Sequence, residues 1–446
     1  MTTTPTLRRL ALAISLAAAL PVTVQADEIR DDINREYDNH LEDLFLHFHT
    51  HPELSMQEHQ TAARMASELR EAGFTVTEGV GETGLVAILE NGPGPMVAMR
   101  ADMDGLPVEE KSGVSYPSTA KQLNPATGQE DFVMHACGHD MHMTSLVGTA
   151  RQLAKRRDQW SGTAMLLVQP GEEVGLGAEA MRNDGLWERF GTPDFVLGLH
   201  VDSGVPAGKV DLLETVSPFA GIDSVDIIIH GVGSHGAFPH RSKDPVVLGS
   251  EIVLALQTII ARELPPYEAG VITVGSFHSG TKHNVISDEA KLQLTVRYTN
   301  EKTRQQLLSA IERIAVNMGR VAGLPEDMLP EVNVLDGASP PLINDQSLSS
   351  RLNGMWKERM GAEYLHLQAP DGMWGEDYVF FINEPLIPSA YWLIGGTPQD
   401  VIDAANAGGA PVPPHHSPLF RIAPEPAVKS GVESTVRAMM ELMPAR

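Results

Sequence analysis

Four short apolar runs constrain the fold more than any other feature: GLVAILE (84–90), PMVAMRAD (95–102), GTAMLLVQP (162–170) and DFVLGLHV (194–201). Helical patterns at roughly 139–156 and 176–184 separate the later ones. Strands that are apolar throughout, rather than alternately, need cover on both faces, which a mostly parallel sheet between helices provides. The expected fold is therefore α/β, and the carboxyl ends of its strands should open onto the binding crevice.

The texture changes near residue 216. DSVDIIIHG (223–231), AGVITVGSFHSG (269–280) and EAKLQLTVRYT (289–299) are longer and alternate, and helical patterns lie near 245–263 and 301–321. This predicts an open-faced α+β unit of βαββα type. EVNVLD (331–336), helices near 343–358 and 375–382, and a strand at 389–394 return to the earlier style. The simplest organisation is an insertion, with a catalytic domain at 27–215 and 334–446 interrupted by a second domain at 216–333. Upstream, Ile29 to Phe48 carries a helical apolar stripe, and Ser55-Met56-Gln57-Glu58 reads as a capping box opening a helix closed by Gly73.

Residues 1–26 hold Arg8 and Arg9, an apolar run from Leu10 to Leu20, and Val24-Gln25-Ala26 as a small-x-small cleavage pattern. That anatomy predicts a cleaved signal peptide and a secreted, periplasmic protein; the apolar run is too short to span a bilayer comfortably, and no stable membrane insertion is expected. With 33 basic and 58 acidic residues the formal charge is −25, which repels phosphate backbones and argues against nucleic acid as a partner. Cys137 is the one cysteine, so it forms no internal disulfide, and in an oxidising compartment a free thiol is a liability unless something occupies it.

Ligand-type side chains gather at the predicted strand ends: Asp102 and Asp104 after VAMRA, Glu172 and Glu173 after MLLVQPG, His200 in FVLGLHV. Cys137-Gly138-His139 precedes a helix starting at the same edge, and PPHHSP offers His415 and His416 in a loop. Singly, each has an ordinary reading: solvated glutamates, a satisfied core histidine, a small buried cysteine. Together, a thiol, imidazoles and carboxylates suit divalent transition metals, and coordination would occupy the thiol. A turn at Gly138 would point Cys137 and His139 at one ion. Five candidate ligands exceed one tetrahedral shell, which favours two metals sharing a ligand. If Glu173 ligates, Glu172 is left beside a metal-activated water as general base, a pairing suited to amide hydrolysis.

RADMDGLP, MHACGHDMH, QPGEE, GLHV, GSHGAFPHRSKDPV, NVISDEAKL and HHSP together resemble the aminoacylase-type metal-dependent amidohydrolases, the group of hippurate hydrolases and indole-acetyl-amino-acid hydrolases, and the resemblance runs in order from about 37 to 440. The resemblance implies two divalent ions per subunit, zinc or manganese ahead of cobalt or nickel, held by Cys137, His139, Glu173, His200 and His416. It implies Glu172 as general base and Asp102 as the acid behind the metal shell. The inserted domain then acts as lid and dimerisation surface, giving a homodimer. His235 would reach a site, in relatives across the dimer, to hold the oxyanion. Asn284 and Arg297 match positions associated with the substrate's carboxylate or carbonyl oxygen.

The substrate so implied is an N-acyl amino acid or similar small conjugate. A carboxypeptidase or dipeptidase on the same scaffold would use identical crevice chemistry, and a non-catalytic periplasmic binding protein would need the ligands but not Glu172. Two segments leading into ligands, 117–133 and 395–414, are longer than the family's usual links and are expected to line the mouth. Trp374 stands beside the acidic pair Glu376 and Asp377, with packing and site roles both open.

Overall fold

The computed structural model describes residues 28–214, 219–335, 337–367 and 372–446; the expected signal segment lies outside the described residues. A seven-stranded sheet runs in the order Thr75–Glu78, Leu85–Asn91, Gly162–Gln169, Met96–Asp102, Phe195–Pro206, Ser389–Thr397, Val210–Asp211. Its four central strands, Gly162–Gln169 through Ser389–Thr397, are mutually parallel, and antiparallel pairs finish each side. The Met96–Asp102 and Gly162–Gln169 strands are buried along nearly their whole length, as unbroken apolar runs require.

One face of the sheet is covered by the helices His139–Lys155 and Pro424–Leu442, with the N-terminal Glu28–Thr50 segment beyond them, a helix containing one π turn at Tyr37–Leu41. The other face is closed by the Gly177–Asn183 helix and by Tyr378 and Phe381. Helix His139–Lys155 buries 14 of its 17 residues. It meets Pro424–Leu442 so closely that a Cβ on Gly148 would stand 2.5 Å from Val432 Cγ2.

The inserted unit differs from expectation by one strand. Glu331–Val334 pairs with Gly221–His230 and closes the inserted sheet in the order Gly270–Ser279, Glu289–Tyr298, Gly221–His230, Glu331–Val334. Glu331–Val334 therefore belongs to the inserted domain, whose main elements run βαββαβ, with helices Pro245–Thr258 and Glu301–Val321 enclosing its own core. Four residues are too few to show alternation, so only the pairing assigns them. The segment expected as a helix near 375–382 is a single 3-10 turn, Asp377–Phe381.

Nor does the expected capping box form, since the helix begins at His59. Ser55 Oγ instead donates to Asp104 Oδ2 at 2.7 Å, and buried Glu58 accepts from the N–H groups of Met56 and Gly171 and from Thr83 Oγ. Both side chains are drawn into tying the 55–58 turn to the Asp104 and Gly171 loops, which carry site residues. The long 117–133 segment contains a hairpin, Lys121–Asn124 with Gln129–Phe132, seated on Leu54 through Gln122; the 395–414 segment contains the helix Gln399–Asn406.

Candidate metal and catalytic site

Three adjacent parallel strands deliver the site. Met96–Asp102 ends on Asp102, Gly162–Gln169 leads through Gly171 into the 3-10 turn Glu172–Val174, and Phe195–Pro206 carries His200. His200 is not at the strand end, as the sequence suggested, because that strand continues to Pro206. Its pairing with Met96–Asp102 nevertheless stops at Arg100 opposite Gly198, so His200 lies where the two strands part, level with Asp102.

Gly138 makes the turn that the short Cys-x-His spacing demands. Its φ of 88° is left-handed, and a Cβ there would lie 2.3 Å from Val201 Cγ1. Cys137 and His139 consequently face one point: ligand atoms of Cys137, His139 and Glu173 all lie within 4.8 Å of one another, as do those of Asp102, His139, His142 and His200. Cys137 Sγ is 3.4 Å from His200 Nε2, and His416 Nε2 is 3.3 Å from Glu173 Oε2. The five expected ligands are thus brought together.

Hydrogen bonding separates ligands from supports. His142 Nδ1 faces Asp102 Oδ1 at 2.6 Å and its Nε2 accepts from Val201 N–H at 2.8 Å, so both nitrogens are used. His200 Nδ1 lies 2.6 Å from its neighbour's carbonyl, Val201 O, which places the hydrogen there and leaves Nε2 a lone pair toward Cys137. His139 is fully buried and Asp104 Oδ1 stands 3.2 Å from its Nδ1, but neither ring nitrogen makes a hydrogen bond; Glu173 Oε1 is likewise unpartnered. Buried polar atoms left unsatisfied at the meeting point of a thiol and carboxylates fit a divalent metal centre.

The electrostatics agree. Burial and then the carboxylates of Glu173 and Glu172 push the Cys137 thiol well up, so a thiolate there calls for a cation. For His139, burial opposes protonation, yet Asp102 and Asp104 lift it to about 10. Burial, then Glu376, Glu173 and Asp377, raise Glu172 well above the usual carboxylate range, the direction a proton-carrying base needs. Asp102 goes the other way: burial is overcome by Arg100, His139 and His142, and the carboxylate stays charged with both oxygens engaged.

Arg100 escaped the sequence reading. Its guanidinium, wholly buried, binds Asp102 (2.6 Å), Glu376 (2.8 Å) and Gln169 (2.7 Å), while Tyr391 OH donates to Glu376 and Gln169 Nε2 donates to Asp377. The signal was present, since an arginine inside the apolar run PMVAMRAD must have buried anionic partners. Glu376 and Asp377 are those partners or their neighbours, and with Glu172 they form a third close group.

The three candidates in the inserted domain separate. Arg297 is half-buried, bonds Thr295 Oγ1 at 3.1 Å, and lies against Gly375, whose Cβ would be 3.2 Å from Nη1; among the described ion pairs it has no carboxylate. His235 and Asn284 are exposed neighbours, joined through Gly236 N–H to Asn284 O, and no described contact links either to the ligand cluster of the same chain.

The model of peptidase family M20/M25/M40 matches residues 98–407, a span that contains the Cys137, Glu172 and His200 segments. The chain belongs to this family. As an M20 protein it is a hydrolase of amide bonds. It is 33% identical over 336 residues to the hippurate hydrolase of Campylobacter jejuni, covering 75% of this chain and 82% of that one. To thermostable carboxypeptidase 2 of Saccharolobus solfataricus it is 35% identical over 330 residues, covering 73% and 79%. A solved structure described as an aminohydrolase from methicillin-resistant Staphylococcus aureus superposes with a TM-score of 0.79 at 28% identity, covering 94% and 100%.

Proposed function

We propose that this M20 protein cleaves the amide of N-acyl amino acids or similar small conjugates bearing a free carboxylate. The carrying observation is the cluster of Cys137, His139 and Glu173 ligand atoms within 4.8 Å, with Glu172 beside it and carboxylates close to both His139 nitrogens. Cys137, His139, Glu173, His200 and His416 would hold two divalent ions, zinc or manganese by donor type, with cobalt and nickel also compatible. Bound there, such ions acidify water and polarise a carbonyl. Glu172 takes the proton of the attacking water and delivers it to the departing amine. Asp102, fixed by Arg100 and His142, keeps a negative charge behind His139.

Arg297, half-buried with no carboxylate partner among the described residues, suits the substrate's carboxylate, and Asn284 its carbonyl oxygen. His235 supplies the oxyanion donor from a second copy of the chain. Support for a homodimer comes from the lid helix Pro245–Thr258, which exposes Val246, Val247 and Leu254. The N-terminal pattern supports export to the periplasm.

Hydrolysis of hippurate, N-acetyl amino acids and dipeptides, compared side by side, tests the reading; turnover of dipeptides alone would support the carboxypeptidase alternative that the Saccharolobus relative favours. Mixing inactive Glu172→Gln and His235→Ala chains tests the shared site, because only a mixed dimer contains one intact constellation.

A further inference from the structure

Cys137 Sγ faces two imidazole nitrogens, His200 Nε2 at 3.4 Å and His415 Nδ1 at 3.8 Å. They are not equivalent. The Val201 carbonyl holds the His200 hydrogen on Nδ1, so the nitrogen toward sulfur carries a lone pair. In His415 the order is reversed: Ser203 N–H donates to Nε2 at 3.3 Å, which consumes that lone pair and puts the ring hydrogen on Nδ1, the atom that faces Cys137, its sulfur at 3.8 Å and its backbone carbonyl beside it.

We propose that His415 is not a metal ligand but a positioning residue that donates an Nδ1–H···S hydrogen bond to the Cys137 thiolate. The inference rests on the reading of Cys137 as a ligand. A thiolate there shares its surroundings with the carboxylates of Glu173, Glu172 and Asp102, and a donor directed at sulfur offsets part of that charge and would hold the thiolate in place for a bound metal.

The loop is shaped for this division. His416 has φ 64°, a left-handed conformation unusual for a residue with a side chain. Its N–H donates to Ala136 O, beside Cys137. Consecutive side chains are thereby turned to different places, His415 toward Cys137 and His416 toward Glu173. The His415 ring is further held by Phe420, with centroids 4.7 Å apart at 36°, and by Trp374 at 6.5 Å. Those contacts give Trp374 a role that its position beside Glu376 left open.

Cobalt(II) substitution of the full-length protein reads this directly, through the sulfur-to-cobalt charge-transfer band. A hydrogen bond lowers the energy of the sulfur lone pairs. His415→Phe, which keeps the stack on Phe420, should therefore retain the wild-type cobalt content while its band moves to longer wavelength. His415→Gln, whose amide can donate in the same direction, should return the band toward the wild-type position. His415→Leu provides the donor-free reading should the phenylalanine variant not fold. A band unmoved in the donor-free variant overturns the proposal, as does loss of a cobalt ion in both it and His415→Gln, since His415 would then be a ligand. Absence of a charge-transfer band in the wild type would defeat the assignment of Cys137 as a ligand, and the proposal with it.

Discussion

Arg100 and Glu376, 276 positions apart in the chain, form an ion pair of 2.8 Å in which neither side chain reaches solvent. The pair joins a strand of the first catalytic segment to the segment that follows the inserted domain, directly behind Asp102 and Glu172. Replacing Arg100 by methionine keeps the volume and strips the compensating charge from Asp102 and Glu376. Breaking one side of such a buried pair costs about 3–5 kcal/mol, so Arg100→Met should lower the thermal midpoint sharply. An unchanged unfolding curve would refute the role assigned to the pair.

Glu172→Gln preserves shape and removes the proton carrier. Its kcat should drop by at least about 100-fold while metal content, measured by elemental analysis, stays at the wild-type level. Unchanged turnover would exclude Glu172 as the base.

Gly138→Ala places a methyl group against Val201 at a backbone angle that disfavours side chains. Val201 N–H fixes His142 and Val201 O fixes His200, so displacement there spreads to the proposed ligand His200 and to the support of Asp102. Reduced metal content is expected together with a stability loss of about 1–3 kcal/mol. A second substitution, Val201→Ala, should recover part of both; no recovery would locate the damage elsewhere.

His49 sets a pH dependence. Burial works against its charge, yet hydrogen bonds to Asp140 (2.7 Å) and Glu110 (3.3 Å) lift its pKa to about 9, above the ordinary 6.5. A raised folded-state pKa contributes stability that is complete below about 6.5 and disappears as pH climbs through about 9. Asp140 and Glu110, both held below their ordinary values by His49 and other hydrogen bonds despite burial, contribute in the opposite sense and lose their share in acid. The gap in thermal midpoint between wild type and His49→Asn should therefore be wide at pH 6 and narrow by pH 9.5. A gap independent of pH would show that the ring acts through packing alone.

Much of this arrangement was legible in the sequence, for identifiable reasons. Unbroken apolar runs announce strands buried on two faces, and Cys137-Gly138-His139 announces its own turn, because two ligands one residue apart cannot otherwise meet. Tautomers are not legible: that His142 is fully engaged while His139 is not depends on where Asp102 and the Val201 N–H fall in space. Short elements are also poorly encoded. Glu331–Val334 is a strand because Gly221–His230 offers it an edge, and the 55–58 turn abandons helix capping because Asp104 and Gly171 provide better partners for its side chains. Arg100 shows the remaining kind of miss, a charge whose meaning lies wholly in residues brought from elsewhere in the chain.

The late return of the chain to the central sheet has a consequence for assembly. Val210–Asp211 joins the central sheet through Ser389–Thr397, and Glu173 meets His416 from 243 positions further on. Contacts of such sequence separation form late, because the entropy of closing the loop must be met before they reward it, whether the intervening inserted domain has folded or been looped out. Cys137, His139 and Glu173 are synthesised long before the residues that complete their surroundings, so a chain stopped anywhere before 416 holds a partial claw. The last stretch to be made is what turns a collection of donors into an enclosed centre, which couples competence of the active centre to completion of the polypeptide itself.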